Sequence, residues 1–130
     1  MNENRETILV VDDTPENIDV LDGILNDTYK IKIATNGVMA LKVAEKVKPD
    51  LILLDIMMPN MDGYEICEKL KVNPLTKDIP IIFVTAKDQE VDEARGFNIG
   101  AVDYVTKPVS PIIVKSRVKT HLALYDQKRE

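Results

Sequence analysis

Four consecutive apolar residues, Leu51 to Leu54, followed by a carboxylate and a run of chain breakers, constrain this sequence more than any other stretch. A short apolar run without alternation reads as a strand buried on both faces, in the middle of a parallel sheet. The run stops on Asp55. A charge seldom sits at the edge of a core without a partner or a task. In an open parallel α/β sheet, that edge is also where ligands bind. Pro59 and Asp62-Gly63 supply the loop that follows, and Asp62 is placed to cap the next helix.

The rest of the chain repeats the arrangement. Ile8 to Val11 is a second apolar run, and it ends on the adjacent carboxylates Asp12 and Asp13. Thr14-Pro15 opens a helix with the stripe Ile18, Leu21, Ile24 and Leu25. Tyr29 to Ala34 alternates apolar and lysine residues, as a strand near a sheet edge does. Asn36-Gly37 starts a second helix carrying Ala40, Leu41, Ala44 and Val47, which Pro49 closes. After Asp62-Gly63 a third helix turns Ile66 and Leu70 inward and runs out at Asn73-Pro74, and Leu75 to Pro80 is a loop. Ile81 to Val84 is another apolar strand, ending at Thr85-Ala86, and Asp88 caps a fourth helix that halts near Gly100. Val102 to Val105 is the fifth strand, before Thr106-Lys107-Pro108, and Ser110-Pro111 opens a last helix through about Tyr125.

Strand then helix, five times over with short connections, predicts one three-layer (βα)5 domain of the flavodoxin-like α/β class, its parallel five-stranded sheet ordered 2-1-3-4-5. A chain of 130 residues holds one such domain. The expected organisation is a tail over 1–6, the domain over 7–125, and a polar segment over 126–130 that is a tail or the start of a linker. No apolar run approaches the roughly 18 residues of a membrane span, and the first residues lack the apolar core of a secretory signal. The lone Cys67 excludes an internal disulfide framework and suits a reducing cytosol, so a cytoplasmic protein is expected. Cys67 itself reads as a small apolar core residue. A net charge of −5 argues against direct binding to nucleic acid.

The predicted topology sends Asp12, Asp13, Asp55, Thr85 and Lys107 to one edge of the sheet. Three carboxylates held together repel unless a cation or a proton lies among them. An all-oxygen site with few protein ligands suits Mg²⁺, which keeps waters and a phosphate oxygen in its octahedron. A lysine and a hydroxyl beside it complete a site for a transferring phosphoryl group, and an aspartate there can act as the nucleophile. Taken singly, these residues read equally well as helix caps and turn residues.

With these residues in view, the sequence resembles the response-regulator receiver domains of two-component signalling, from about Thr7 to Tyr125. The motifs are Asp12-Asp13, the Asp-Ile-Met-Met-Pro-Asn-Met-Asp-Gly run from Asp55, Thr85-Ala86, and Lys107-Pro108. The resemblance implies that Asp55 is phosphorylated and that Asp12, Asp13, Asp55 and the Met57 carbonyl surround Mg²⁺. It implies that Thr85 and Lys107 hold the phosphoryl oxygens, that the peptide bond before Pro108 is cis, and that Tyr104 is a switch residue moving with Thr85. Met57 and Lys87 would flank the path of hydrolytic water. The implied donor is a sensor histidine kinase or a phosphotransfer protein.

A phosphatase of haloacid-dehalogenase type also uses a strand-end aspartate, but it wants two aspartates separated by one residue, and Asp12 and Asp13 are adjacent. A flavodoxin-like FMN carrier needs a Ser/Thr/Gly-rich phosphate loop, where Asp12-Asp13-Thr14-Pro15-Glu16 would repel the phosphate. His121 reads as a partly exposed helical residue and not a phosphorelay group. On the last helix Val114, Val118, Leu122 and Tyr125 form one stripe, with Ile113 and Leu124 off it. The surplus points to a second contact, such as a homodimer through the fourth-helix to fifth-helix face. A stand-alone regulator and a domain joined covalently to an output domain both remain open.

Overall fold

The computed structural model describes residues 5–86 and 93–129. Five strands alternate with five helices. These are β1 (Thr7–Val11), α1 (Pro15–Leu25), β2 (Lys30–Ala34), α2 (Gly37–Val47) and β3 (Leu51–Asp55), then α3 (Gly63–Val72), β4 (Ile81–Ala86), α4 (Glu93–Asn98), β5 (Asp103–Lys107) and α5 (Pro111–Arg129). The strands form one parallel sheet of order β2-β1-β3-β4-β5, as the alternation predicts. Successive side chains of a strand face opposite ways, so each apolar run feeds two cores. Leu9, Val11, Ile52, Leu54 and Phe83 pack with Ala40, Ala44, Ile66, Cys67 and Leu70 of α2 and α3. Ile8, Val10, Leu53, Ile82 and Val84 pack with Ile18, Leu21 and Leu25 of α1 and with Val114, Val118 and Leu122 of α5. β2 is an edge strand with mostly exposed residues, which is why it alone alternates.

Local signals act as expected at α2 and α3, where Asn36 accepts from the Met39 N–H and Asp62 from the Glu65 N–H. The chain leaves α4 through a paired closure in which Ala101 N–H donates to Gly96 O and Gly100 N–H to Phe97 O. Gly100 has φ +112°, the left-handed region this closure favours.

Several boundaries differ from the sequence reading. β5 spans Asp103–Lys107, not Val102 to Val105, because Thr106 and Lys107 still pair with Thr85 and Ala86. α5 continues past Tyr125 to Arg129, since Asp126-Gln127-Lys128-Arg129 contains no helix breaker. The small residues Ala40 and Ala44 make the buried stripe of α2, and Val47 at its end is exposed. The loop after α3 holds the buried Thr76, whose hydroxyl donates to Leu70 O at 2.7 Å and closes the helix end. Asp88 and Lys87 lie outside the described residues. No helix among the described residues is long and apolar enough to cross a membrane.

Candidate functional site

Topology converts separate strand ends into one acidic cleft. β1 and β3 are hydrogen-bonded neighbours, with Val11 paired to Leu54, so Asp12 and Asp55 emerge side by side. Carboxylate oxygens of Asp12, Asp13 and Asp55 lie within 4.8 Å of one another. Asp12 and Asp55 are buried and Asp13 is exposed, so the cluster opens to solvent on one side. β5 adds the cation. Lys107 lies two residues beyond Val105, on the sheet face that also carries Asp55, and its Nζ is 3.3 Å from Asp12 Oδ2 and 3.6 Å from Asp55 Oδ1. The Lys107–Pro108 peptide bond is cis.

Asp12 is held firmly. Its Oδ1 accepts from the Thr14 N–H at 2.9 Å and lies 3.5 Å from Asn17 Nδ2. The first helix therefore starts under the Asp12 carboxylate, and the Thr14 side chain makes no capping bond. Asp55 has weaker support, since Met57 N–H donates to its Oδ1 at 3.3 Å. Its carboxyl is pushed up to about 6, first by burial and next by the charge of Asp12. Lys107 and the Met57 N–H pull it back, and Asp13 adds to the rise. Of the two buried carboxylates, the one with the weaker hydrogen-bond support is thus the one at the end of the central strand. A donor set of three carboxylates, two of them buried, fits a small hard dication that would relieve this repulsion.

Thr85 sits one residue past Val84, the β4 partner of Asp55, and is buried with its hydroxyl 3.4 Å from Ala86 O. Thr85, Phe83 and Tyr104 share the α3/α4 side of the sheet. Tyr104 is already turned inward, 8% exposed, between Phe83 and Phe97 at centroid distances of 5.5 and 5.2 Å. Met57 is exposed at the mouth of the cleft, while Met58 is buried.

Two arrangements escaped the sequence reading. Asn17 reaches Asp12, and its place one turn into a helix that starts beside two carboxylates was the available signal. His121, read from the sequence as a partly exposed helical residue, contacts Asp103 at 3.0 Å, and Arg117 bonds the same carboxylate at 2.8 Å and Tyr104 O at 2.7 Å. Arg117 and His121 are four apart on α5, a spacing that gives them one partner. Burial raises the Asp103 carboxyl, but hydrogen bonds from His121 and the Tyr104 N–H and the charge of Arg117 outweigh it and leave the group below its ordinary value. Asp103 begins β5 and Lys107 ends it, so this cluster lies at the opposite edge from the triad. A cavity of about 520 Å³ lined by Lys71, Pro80, Val102, His121 and Leu124 lies there too, and it touches none of the triad. Cys67 is buried with its thiol pushed up to about 11 by desolvation, consistent with a core residue.

Residues 8–119 match the family described as the response regulator receiver domain. The chain is 52% identical over 116 residues to a probable cyclic di-GMP phosphodiesterase of Vibrio cholerae serotype O1, covering 89% of this chain and 26% of that protein. It is 47% identical over 119 residues to the alkaline phosphatase synthesis transcriptional regulatory protein PhoP of Bacillus subtilis, covering 91% and 49%. The chain thus spans between about a quarter and a half of these curated relatives. Among solved structures, a putative response regulator from Chloroflexus aurantiacus superposes with a TM-score of 0.87 at 36% identity, covering 92% of this chain and 99% of that one.

Proposed function

The chain belongs to the response regulator receiver domain family, whose members are the phosphoacceptor domains of two-component systems, and from that premise we propose that Asp55 is the phosphoacceptor in a Mg²⁺-dependent transfer. The observation that carries the reading is the convergence of Asp12, Asp13 and Asp55 within 4.8 Å with the Lys107 ammonium bridging two of them. Repulsion and the bridging Lys107 ammonium at a solvent-open strand edge are what a transferring dianionic group with its metal would complete.

In the proposed step an oxygen of the Asp55 carboxylate attacks the phosphorus of a phosphohistidine on a sensor histidine kinase or phosphotransfer protein. The P–N bond breaks as the P–O bond forms, and the imidazole leaves with the electron pair of that bond. Asp12, Asp13, Asp55 and the Met57 carbonyl would hold Mg²⁺, which supplies charge neutralisation between the carboxylates and the phosphoryl oxygens. Asp12 holds its place through Thr14 and Asn17. Lys107 trades part of its contact with Asp12 and Asp55 for a phosphoryl oxygen. The Thr85 hydroxyl, whose bond to Ala86 O is long, turns to another phosphoryl oxygen, and Tyr104 moves with it. Water resets Asp55 by attack on the same phosphorus.

The receiver domain spans residues 7–125 in this reading and works in the cytoplasm. Its output passes through the α4–β5–α5 face to a partner, a second copy or a covalently joined output domain. Phe97 and Ile113, exposed on α4 and α5, support that surface. Mg²⁺ titration with a thermal melt tests the metal part. The cation raises Tm in the parent and raises it less in Asp13→Asn, and a melt indifferent to Mg²⁺ counts against the site.

A further inference from the structure

β2 closes the sheet on one side, and no strand of the sheet lies along its outer edge. The hydrogen bonds say which backbone groups stand on that edge. Lys30 N–H donates to Glu6 O at 2.9 Å, and Ala34 O accepts from the Asp12 N–H at 3.1 Å. In a parallel ladder the two backbone groups of one residue point the same way, and successive residues point oppositely. Lys30, Lys32 and Ala34 therefore turn their backbone toward β1, and the N–H and C=O of Ile31 and Ile33 face outward. Side chains sort by the same alternation. Lys30, Lys32 and Ala34, in register with Thr7, Leu9 and Val11, lie on the face that α2 and α3 cover, and Ile31 and Ile33 lie on the α1 and α5 face.

Beside this edge runs a groove of about 530 Å³ lined by Lys32, Ile33, Lys42, Val43, Lys46 and Val47. Its charge runs against that of the chain, whose net charge is −5. The carboxylate that α2 carries, Glu45, is turned to the α3 side, where it accepts from Asn73 Nδ2 at 2.7 Å. Among the described residues, no ion pair joins Lys32, Lys42 or Lys46 to a carboxylate. A second copy of β2 laid along the edge would set Lys30 and Lys32 against the same lysines, a repulsive pairing. Lysine on an edge strand also discourages aggregation, but that accounts for Lys30 and Lys32 and not for Lys42 and Lys46 on the helix.

We propose that the free edge of β2 and the lysine-lined flank of α2 form a docking site for an extended acidic segment of a partner protein, which adds a strand to the sheet. The backbone of that segment pairs with Ile31 and Ile33. Its carboxylates, on the face toward α2, meet Lys32, Lys42 and Lys46, and its alternate apolar residues cover the half-exposed Ile33. The site uses no residue of the acidic cleft, so it stands apart from the phosphoacceptor reading.

The test uses the full chain and a synthetic peptide of alternating glutamate and valine with blocked termini. Fluorescence anisotropy gives its affinity, and amide hydrogen exchange read by NMR shows where it lies. Bound peptide slows exchange at Ile31 and Ile33 and leaves Lys30 and Lys32, whose amides already face β1, unchanged. Reversing two exposed charges on α2, with Lys42→Glu and Lys46→Glu together, keeps the fold and weakens binding about tenfold. Absence of binding at millimolar peptide, binding without protection of Ile31 and Ile33, or undiminished binding by the charge-reversed variant overturns the proposal. Displacement of the peptide by oligothymidylate or by vesicles of anionic lipid at equal charge concentration does so too, since the groove would then be an unspecific anion patch.

Discussion

Replacing Asp55 by Asn should stabilise the metal-free protein. The Asp55 carboxyl is pushed from 3.8 to about 6, chiefly by burial and by Asp12. Roughly two units at about 1.4 kcal/mol each make the ionised group cost the folded chain about 3 kcal/mol at pH 7 relative to the unfolded one. A carboxyl whose folded pKa is raised destabilises fully above that pKa, and the cost disappears as pH falls to the unfolded value. The gain from Asn is therefore about 3 kcal/mol at most at pH 7, about half of that at pH 5, and close to zero below pH 4. The net shift already contains the attraction of Lys107, and the Asn carbonyl still accepts the Met57 N–H. Urea melts in chelator at these pH values read the effect, with a matching Tm rise of about 5–10 °C at neutral pH. Saturating Mg²⁺ narrows the gap, because it stabilises the parent more. An Asn variant no more stable than the parent at pH 7, or a gain that grows with acid, would refute the electrostatic account of the cleft.

Lys107→Ala removes the cation bridging Asp12 and Asp55, and phosphotransfer from acetyl phosphate should slow on the order of a hundredfold, read by labelling time courses. Gly63→Ala places a methyl 2.6 Å from Asp55 O and 2.7 Å from Ile56 Cα, both backbone atoms that cannot swing away. It should cost about 1–3 kcal/mol in urea melts and slow labelling together. Asp103→Asn should lower stability at pH 7, where the depressed carboxyl of Asp103 contributes fully. That loss should vanish as pH falls below about 4, so melts at neutral and acid pH check it.

Much of this architecture is legible in one dimension because a buried parallel strand cannot alternate. Ile8 to Val11, Leu51 to Leu54 and Ile81 to Val84 must be central, and Lys30 and Lys32 must mark an edge. The triad was legible for the same reason, since strand order puts the residues after Val11 and Leu54 next to each other. The aromatic seat was not. Nothing in the spacing of Phe83, Phe97 and Tyr104 says that the ring points in, because that depends on three elements meeting. The Asp103, Arg117 and His121 cluster was hidden likewise, the carboxylate and its two partners being separated by the turn into α5. Boundaries failed where pairing or propensity carried an element past its apolar residues, as in Thr106-Lys107 of β5 and the polar end of α5.

The central claim is that one carboxylate, at the end of β3, accepts the phosphoryl group. Mass spectrometry of the protein after incubation with acetyl phosphate and Mg²⁺ tests it most directly, with Asp55→Asn run in parallel. The account predicts a single acid-stable, base-labile phosphoryl group that maps to the peptide containing Asp55 and is absent from the Asn variant. Phosphate on His121, or undiminished labelling of Asp55→Asn, would contradict it.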